Sequence, residues 1–314
     1  MIVYLCTANN SQGMATWLGS WGSALAGRMA IMYYEALTQY RTLPQGAYIF
    51  SDLELLSDGQ TRLAESLWDQ LAAAGDKVRL LNHPARALRR YDLIKALRSR
   101  QMLPYDVYRA TELPADIRFP AFVRVGNDHE GSRTPLLHQR QNVELAIIST
   151  VLRGHQPHQV MVGEFCDVSR GSGIYHKYGA FRVGDKIIPR HLLYSRNWVV
   201  KPNDRIITTD TLARERDYLE SNPHEKQLRE IFDLAQIQYG RIDYSIVDEK
   251  IVFWEIDMPS PGGALDRYPP ALHPSQHWFV RQIMAAFQAI DLPTSQDPAA
   301  QIPIQLDLSR VVPH

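Results

Sequence analysis

Cysteine is scarce in this sequence: its 314 residues include only Cys6 and Cys166. Two cysteines cannot build the disulfide framework on which many secreted domains depend, so we expect a protein of a reducing compartment. Long apolar runs are also missing, since nowhere do about 18 apolar residues follow one another. The N-terminus, MIVYLCTANNSQ, lacks a basic segment followed by a long apolar one. The sequence therefore predicts a soluble cytoplasmic protein with neither a signal peptide nor a membrane span.

A net charge is missing as well, because 34 lysine and arginine residues balance 34 aspartate and glutamate residues. Without an overall field, nothing steers the chain toward nucleic acid or an acidic membrane, so we expect neither as a partner. What the sequence does have is length and apolar content, since 45% of its residues are hydrophobic. That is enough for a substantial core divided among two or three structural units. The composition leaves the oligomeric state open.

The N-terminal quarter alternates short apolar runs with helical stretches. IVYLC and AYIFSDLELL have the composition of strands, and VRLLN follows as a third. Residues 60–74 place Leu63, Leu67 and Leu71 on one helical face, and Gly75 ends that helix. A basic helix, opened by His83-Pro84, is expected next. Such alternation predicts a layered α/β unit.

The remaining sequence predicts further strands and helices around several polar loops. The predicted elements are a strand FPAFVRV that runs into the loop GNDHEGSRTP, a helix over 139–153, a strand QVMVGEFCDV, a hairpin of YHKYGAFRV and KIIPRHLLYS around Gly184-Asp185, helices over 211–238 interrupted near Asn222-Pro223, and a helix over 274–290. A proline-containing tail follows Asp291.

The segment 240–263, GRIDYSIVDEKIVFWEIDMPSPGG, is unusual because acids interrupt two strand-like runs. If the runs pair around Glu249 through a loop of three or five residues, Asp243 lies opposite Glu255 and Arg241 opposite Asp257. The turn has no Gly or Asn to supply positive φ angles, which disfavours a two-residue loop. This register predicts one charged face. The reverse face is then apolar, with Ile242, Tyr244 and Ile246 against Val252, Trp254 and Ile256.

Directly opposed carboxylates lie about 5 Å apart at Cβ and repel each other. The repulsion is relieved if the acids hold a divalent cation. Mg²⁺ prefers oxygen ligands, often one or two carboxylates completed by water and nucleotide phosphates. The alternative is a solvated acidic face that Arg241 partly neutralises, and the spacing alone leaves both readings open.

The order Asp243, Glu255-Ile256-Asp257 and then Pro259-Ser260-Pro261-Gly262-Gly263 resembles the end of the catalytic domain in ATP-grasp enzymes. The spacing from Asp243 to Glu255 is similar to that in the family's peptide-tail glutamate ligases and glutathione synthetases. The resemblance implies a mixed α/β (α+β) fold in which two β-sheet subdomains hold the nucleotide between them, after a small N-terminal α/β domain. The implied bounds are 1–81 for the N-terminal domain, 82–290 for the ATP-grasp region with a lid over about 118–163 and a catalytic subdomain over about 164–290, and 291–314 for a tail.

By this resemblance, Asp243, Glu255 and Asp257 are the metal-binding acids, with Mg²⁺ or Mn²⁺ as the ion. Asp257 stands where the family usually has Asn, so this chain adds a negative charge and removes an amide donor. A carboxylate can bind the same ion, but the change bears on metal preference and phosphate affinity.

The resemblance also implies cations against the phosphates of ATP. Arg124, in the strand FVRV, matches a position that is usually Lys, and its guanidinium can bind phosphate in a bidentate manner. The loop from Gly126 to Ser132 matches the phosphate-binding loop of the family, in which backbone N–H groups contact phosphate oxygens. Gly131 and Ser132 are the members of this loop that we assign to the nucleotide. His129, in the same loop, could contact phosphate or an acidic substrate.

Further basic residues match less specific positions of the family. On the helix before the Arg124 strand, Arg90 is the best match for a second phosphate cation, and Arg89 and Lys95 are alternatives. In the hairpin from Tyr175 to His191, the candidates for substrate or γ-phosphate contact are Lys177, Arg182 and Arg190. Strand alternation puts Lys177 and Arg182 on opposite faces, so we favour Lys177 and Arg190.

The stretch from Val160 to Asp167 resembles the adenine-binding strand of the family. Glu164 is the first acid of that pattern, the backbone of Phe165 and Cys166 would contact the adenine edge, and Asp167 would bind the ribose hydroxyls. We expect Cys166 to pack at this position and not to react, because no cationic helix terminus is evident to activate its thiol.

The resemblance implies an ATP- and Mg²⁺-dependent ligase that activates a carboxylate as an acyl phosphate for attack by an amine. Its partners would be ATP, a small-molecule or peptide carboxylate and an amine. A small-molecule kinase that uses the same site and a nucleotide-binding protein without turnover are the alternatives. The segment Thr7–Gly13, after the first strand, either contacts substrate or is a plain turn.

Overall fold

The structure is a computed structural model that describes residues 1–126, 131–262, 267–293 and 301–306. Within these ranges the strands form two four-stranded sheets, a three-stranded sheet and a two-stranded ribbon. Helices alternate with the strands along the chain. The mixed α/β class predicted from the sequence is therefore confirmed.

Five strands lie in the N-terminal part of the chain: β1 (Ile2–Cys6), β2 (Met29–Tyr33), β3 (Thr42–Leu43), β4 (Gly46–Phe50) and β5 (Val78–Leu81). All but β3 form a parallel sheet in the order β2-β1-β4-β5. Every residue of β1 and β4 is buried. Both strands lie inside the sheet, which explains why their sequences are continuous apolar runs without alternation.

The helices of this part are α1 (Gln12–Leu18) and α2 (Asp58–Ala72). α2 begins at a capping box in which the Ser57 side chain accepts from the Gln60 backbone and the Gln60 side chain accepts from Ser57 N. It buries Leu63, Leu67 and Leu71, so the helix predicted over 60–74 is confirmed with a slightly earlier start.

The basic helix α3 (Arg90–Ser99) begins later than predicted. We expected a start at His83-Pro84, but residues 83–89 form a turn in which Ala87 N donates to His83 O. Leu88 N donates to Ala235 O, which ties this segment to a distant part of the chain. A tertiary hydrogen bond thus overrides the helical composition, and it leaves Arg90 at the first position of α3.

A small sheet follows, made of β6 (Val107–Arg109), β7 (Ala121–Val125) and β8 (Val160–Glu164), with β8 in the middle and antiparallel to both neighbours. Helix α4 (Arg140–Leu152) accompanies it, as predicted over 139–153. This unit has a hydrophobic cluster of its own, consisting of Ile117, Ala121, Val123, Val143, Val160 and Val162. We call β6–β8 with α4 the lid unit.

The main antiparallel sheet contains β9 (Tyr175–Val183), β10 (Lys186–Ser195), β11 (Tyr239–Val247) and β12 (Lys250–Asp257) in the order β10-β9-β11-β12. Helices α5 (Thr209–Ser221), α6 (Glu225–Ala235) and α7 (His273–Ile290) belong to the same part of the chain. Both predicted hairpins, the interrupted helical region and the helix over 274–290 are therefore confirmed.

The β11–β12 hairpin has the predicted register at its acids but a different turn. Asp243 pairs with Glu255 and Arg241 with Asp257. The predicted loop of three or five residues is wrong, because Val247 pairs with Lys250 across Asp248 and Glu249, whose φ angles are 49° and 61°. A bulge at the unpaired Trp254 adds the residue that the short turn omits, and this restores the register.

The bulge also changes the faces of the hairpin. Tyr244 pairs with Phe253 and Ile246 with Ile251, whereas Val252 lies opposite Ser245. The predicted apolar face is therefore wrong for Val252 and Trp254. Trp254 donates from its indole N–H to Ser245 Oγ over 2.9 Å, on the side of the sheet that carries the acids.

One hydrophobic cluster joins the N-terminal sheet to the main sheet, since it contains Val3, Phe50, Tyr239 and Phe287 among others. β13 (Ile302–Pro303) pairs with β3 and attaches the C-terminal segment to the N-terminal part. Most of the predicted tail lies outside the described residues, and the domain bounds given above stay predictions. In the described ranges, no helix has both the length and the apolar composition needed to cross a membrane.

Candidate active site

The three predicted metal-binding acids share one face of the main sheet. Asp243 and Glu255 face each other across β11 and β12, and Asp257 lies two residues beyond Glu255. Asp243 is 1% exposed and Asp257 is 7% exposed, whereas Glu255 is half-buried. The hairpin thus presents three carboxylates to a restricted space.

Cations occupy the surroundings of these acids. Asp243 accepts hydrogen bonds from Lys177 Nζ over 2.8 Å and from Arg241 Nε over 2.8 Å. Arg241 Nη2 also lies 3.4 Å from Asp257 Oδ2. Lys177 and Arg241 therefore both neutralise the acids, whereas the sequence had predicted Arg241 alone.

Two further arginines reach the same acids from other elements. Arg90 forms an ion pair with Glu255, and its Nη2 lies 3.6 Å from Asp257 Oδ1. Arg124 Nη2 lies 3.8 Å from Glu255 Oε2. Residues from α3, the lid unit and the main sheet thus meet at the acids. The sequence had predicted these residues one by one, but not that they lie together.

The charged environment controls the ionisation of the buried groups. Burial alone would raise the pKa of Asp243, but Arg241 and Lys177 outweigh burial and hold that pKa well below its usual value. Burial alone would lower the pKa of Arg241, but Asp243, Asp257 and Glu255 raise it above its usual value. Asp243 and Arg241 are therefore both charged at neutral pH.

The local sequence explains how the two arginines are aimed. Along β7, Ala121, Val123 and Val125 are buried while Phe122 and Arg124 are half-buried, as strand alternation requires. Arg90 starts α3 and donates to Gly126 O over 2.8 Å, at the point where the predicted phosphate loop begins. Arg90 is thus the helix cation that reaches the acids.

The two alternatives to Arg90 lie elsewhere. Lys95 pairs with Asp106 over 2.9 Å and lies over the Tyr108 ring, 4.9 Å from its centroid. Arg89 precedes α3 as its N-cap residue. Neither has an ion pair to Asp243, Glu255 or Asp257 among the described residues.

A cleft between the lid unit and the main sheet includes Glu255, Arg124 and Lys177 in its lining. It encloses about 790 Å³, including space open to solvent, which is within the range of small-molecule sites. Its lining combines apolar and aromatic side chains with charged ones: Phe122, Phe165, Val168, Tyr175, Trp198, Val200 and Trp254, and Arg124, Lys177, Lys201 and Glu255. Such a lining can contact both a flat aromatic group and a polyanion.

Several predicted nucleotide contacts line this cleft: Arg124, Gly131, Ser132, Phe165, Cys166 and Lys177. Ser132 donates its hydroxyl to Thr134 O over 2.6 Å and pairs with Arg124 by a β-bridge. The residues between Gly126 and Gly131, including His129, lie outside the described part of the chain. Asp167 is exposed and accepts from Ser169 N over 2.9 Å, and its role at the ribose stays a prediction.

Glu164 differs from these residues because it does not line the cleft. Its carboxylate accepts from Arg118 Nε over 2.9 Å, from Asp106 N over 3.0 Å and from the Tyr108 hydroxyl over 3.2 Å. The side chain is 4% exposed and does not line the cleft. The Glu164 carboxylate is thus used inside this part of the chain, and its contact with the nucleotide stays a prediction.

The basic residues of the β9–β10 hairpin separate as alternation predicted. Lys177 points to Asp243, whereas Arg182 pairs with Asp233 of α6 over 2.5 Å. Arg190 donates to the Tyr268 hydroxyl over 3.0 Å and lies 4.4 Å from the centroid of the Phe279 ring. Arg190 is therefore close to the site but is not part of the ion pairs around the three acids.

The aromatic lining was not predicted. Trp198 lies 5.2 Å from the Phe122 ring and 5.7 Å from the Phe165 ring, measured between centroids, and it comes from the segment after β10. Tyr175, Trp254 and Lys201 were also missed. The sequence offered one indication of this lining in the run Asn197-Trp198-Val199-Val200-Lys201. There a tryptophan and two valines lie between polar residues, shortly after a predicted strand.

Oxygen ligands suited to Mg²⁺ or Mn²⁺ are present as the three carboxylates. In the described ranges, however, no group of three or more His, Cys, Asp or Glu side chains is arranged as a metal-binding cluster. The acids instead pair with Arg and Lys. The donor set therefore fits an ion that a nucleotide's phosphates help to hold, and does not form a closed protein cage.

Solved structures similar to this chain include D-alanine–D-alanine ligase from Bacillus anthracis. Its complex with ATP has a TM-score of 0.51 and 11% sequence identity, covering 92% of this chain and 96% of the ligase. A second structure of that ligase has a TM-score of 0.51 and 12% identity, covering 92% and 98%. The macrocyclase MdnC from Microcystis aeruginosa MRC, bound with the precursor peptide MdnA, has a TM-score of 0.44 and 14% identity, covering 90% and 99%.

No family model matches the sequence, and no curated protein matches it. At 11% and 12% identity, the likeness to D-alanine–D-alanine ligase, an ATP-grasp protein, concerns the fold. It extends over almost the full length of both chains, so it includes the N-terminal sheet, the lid unit and the main sheet together. The predicted fold is therefore confirmed: this chain has the ATP-grasp fold.

Proposed function

We propose that the protein is an ATP-dependent ligase that activates a carboxylate as an acyl phosphate for attack by an amine. The observation that carries the proposal is a cleft lined by aromatic side chains together with Arg124, Lys177 and Glu255, of which Glu255 lies opposite Asp243 and two residues before Asp257. The ligase with the similar fold was solved with ATP, which supports the same nucleotide here.

In this proposal the aromatic side chains of the cleft contact adenine. The backbone of Phe165 and Cys166 contacts the adenine edge, and Asp167 binds the ribose. We assign Arg124, Arg90 and Lys177 to the triphosphate, so that their charge can shift from the acids to the phosphate oxygens. Gly131 and Ser132 contribute the end of the phosphate loop.

Asp243, Glu255 and Asp257 would hold the divalent metal together with the nucleotide. When bound, the metal neutralises charge on the phosphates and orients them. Ion pairs balance the charge of these acids in the absence of nucleotide; their partners are Arg90, Arg124, Lys177 and Arg241. The site is therefore stable before the nucleotide and its metal bind. This arrangement supports binding of the metal with the triphosphate and not ahead of it.

The reaction has two steps. A substrate carboxylate oxygen attacks the γ-phosphorus, ADP leaves, and an acyl phosphate forms. An amine nitrogen then attacks the acyl carbon, phosphate leaves, and the amine loses a proton as the amide forms. The protein's part is positioning, charge neutralisation and exclusion of water, which would hydrolyse the acyl phosphate.

The lid unit is suited to that exclusion. Most of its buried apolar side chains form a cluster of their own, whereas Val107 of β6 and Met161 of β8 belong to the cluster that joins the other two sheets, so movement of the lid unit would disturb the main core at these two residues. Its contacts to the acids are made by the Arg124 side chain and, through Gly126 O, by Arg90. A nucleotide between these groups would tie the lid unit to the main sheet.

Formation of ADP and phosphate, assayed with ATP, Mg²⁺ and pooled carboxylates and amines, tests the proposal. We expect turnover only when both pools are present. Glu255→Gln should lower that turnover at least about a hundredfold, because it removes one charge from the metal-binding face while keeping the side-chain shape. The matched control is Glu220→Gln on the exposed side of α5, which should be fully active.

Three results would contradict the ligase. Transfer of labelled phosphate to a stable product would indicate a kinase that uses the same site. Tight ATP binding without turnover in any mixture would indicate a nucleotide-binding protein without catalysis. Full activity of the Glu255→Gln protein would remove this acid from the mechanism.

A further inference from the structure

The loop after β10, residues 196–205, contacts the lid unit; we call it the β10 loop. Trp198 of this loop lies 5.2 Å from the ring of Phe122 in β7, measured between centroids. Lys201 follows three residues later and approaches Gly131, since a Cβ at Gly131 would lie 3.6 Å from Lys201 Nζ. All four residues line the cleft. The β10 loop thus brings an aromatic ring and an ammonium group to the cleft.

The neighbours of Lys201 relate it to the phosphate cations. Ser132, which follows the glycine beside Lys201, pairs with Arg124 through a β-bridge. Phe122, which the Trp198 ring contacts, precedes Arg124 by two residues on the same strand. The contacts of the β10 loop therefore pass along β7 from Phe122 toward Arg124, and Lys201 is at the Arg124 end.

Hydrogen bonds hold the β10 loop in this shape. Ile206 N donates to Tyr194 O over 2.7 Å, which closes the loop at its base. Asn197 Oδ1 accepts from Val199 N over 3.0 Å, and a single 3₁₀ turn follows Lys201. Less entropy is lost on binding when the backbone is already ordered, so this loop is suited to presenting a charge to a ligand.

The charges of the cleft lining favour a polyanion. Among the described residues of the lining, three cations, Arg124, Lys177 and Lys201, lie with one carboxylate, that of Glu255. An ammonium group has three N–H donors and no acceptor, and its hydrogen bonds to phosphate oxygens are charge-assisted. The lining therefore has an excess of positive charge, to which Lys201 contributes.

We infer that Lys201 binds phosphate oxygens of the nucleotide as a further cation, contributed by the β10 loop. The inference rests on the nucleotide site of the proposed function and adds a binding residue to it. None of the positions that the resemblance assigns to the phosphates lies in this loop. A bound nucleotide would then connect the β10 loop, through its phosphates, with Arg124 of the lid unit.

A comparison of ligands with and without phosphates tests this without turnover. Isothermal titration calorimetry gives the dissociation constants of adenosine, of ADP with Mg²⁺ and of a non-hydrolysable ATP analogue with Mg²⁺. Lys201→Gln should weaken binding of the ATP analogue about tenfold, the usual effect of losing a hydrogen bond to a charged group, and leave adenosine binding unchanged. The difference from the unchanged protein should shrink at high salt, because salt screens charges near the surface.

Two further variants complete the design. Lys186→Gln is the matched control, since Lys186 is an exposed lysine at the start of β10, and it should bind all three ligands like the unchanged protein. Lys201→Arg keeps the positive charge and should bind the ATP analogue more tightly than Lys201→Gln. This second substitution separates loss of the charge from loss of the lysine's packing.

The inference is overturned if Lys201→Gln weakens adenosine and the ATP analogue equally, because the lysine would then only shape the cleft. It is also overturned if Lys201→Gln binds the analogue like the unchanged protein, if Lys201→Arg binds it no better than Lys201→Gln, or if the unchanged protein binds the analogue no better than adenosine.

Failure of this inference is distinguishable from failure of the ligase. Binding of the ATP analogue that depends on Lys201, without ADP formation in any mixture of carboxylates and amines, counts against the ligase alone. Turnover that needs both pools, together with unchanged binding of the analogue by Lys201→Gln, counts against the role of Lys201 alone.

Discussion

Glu164 joins three segments of the lid unit. Its carboxylate accepts from the Arg118 side chain and backbone, from Asp106 N at the start of β6 and from the Tyr108 hydroxyl. Burial alone would raise the pKa of Glu164, but the hydrogen bonds from Arg118 and the backbone outweigh burial and lower it. The ionised form is therefore the one that stabilises the lid unit.

Glu164→Gln should lower the free energy of unfolding by about 2 kcal/mol at pH 7, because charged hydrogen bonds are lost at a buried position. A group whose pKa is lowered by folding stabilises above its unfolded pKa, near 4.3 for Glu, and loses that contribution as pH falls. The difference between the two proteins should therefore shrink below about pH 4. Denaturant unfolding at several pH values measures it.

Glu144→Gln is the matched control, since Glu144 is an exposed acid of the same lid unit that pairs with Arg140 one helical turn earlier. It should change stability by less than about 0.5 kcal/mol at either pH. A Glu164→Gln effect that is as small, or that grows as the pH falls, would show that the ionised carboxylate does not stabilise the lid unit.

At the scale of elements, the β11–β12 hairpin differs from the predicted hairpin in two ways whose effects on the register cancel. The two-residue turn at Asp248-Glu249 shortens the loop, and the bulge at Trp254 adds a residue to β12. Apolar burial on one face and ion pairing on the other fix the position of the acids, so the turn must adapt to them. This is why a register argument placed the acids correctly although it assumed the wrong turn.

The turn provides a prediction because both of its residues have positive φ without being glycine. Glu249→Gly should raise the free energy of unfolding by about 0.5 to 1 kcal/mol, since glycine adopts a φ of 61° without the steric cost of a Cβ. Thermal and denaturant unfolding measure the change. Glu249→Ala, which keeps the Cβ, should bring no gain, and a stabilisation as large as that of glycine would exclude this explanation.

Sequence patterns identified the helices and strands well where the local sequence preference and the tertiary packing favour the same structure. α2 combines a capping box with leucines at helical spacing, so its sequence specifies it fully. The start of α3 was misplaced because Leu88 N bonds to Ala235 O, a contact that sequence proximity does not reveal. The bulges at Arg190 and Trp254 were invisible for the same reason, since they depend on what each strand faces.

At the scale of the whole molecule, hydrophobic packing divides the described residues into unequal parts. The N-terminal sheet and the main sheet share one cluster, which includes Val3, Tyr239 and Phe287. The lid unit has a smaller cluster around Val123 and Val143. We expect the first cluster to determine global stability and the second to determine the opening of the lid unit.

Two substitutions compare these clusters. Phe287→Ala should lower the global free energy of unfolding by about 3 to 5 kcal/mol, the usual cost of truncating a buried phenylalanine. Val143→Ala should leave most of that free energy unchanged but speed amide hydrogen exchange in β7 and β8. Equal global destabilisation by both substitutions would mean that the lid unit is not a separate cooperative unit.

The sequence by itself determined which residues carry charge on the hairpin, the pairing of Asp243 with Glu255, and the order of the basic residues along the chain. Strand alternation and apolar burial are local rules, so a single segment is enough to apply them. Only the tertiary structure decided that Arg90 and not Lys95 reaches the acids, that the Glu164 carboxylate bonds within the lid unit, and that Trp198 lines the cleft. Each of these depends on the distance between segments far apart in the chain, which packing of the sheets sets and local sequence does not.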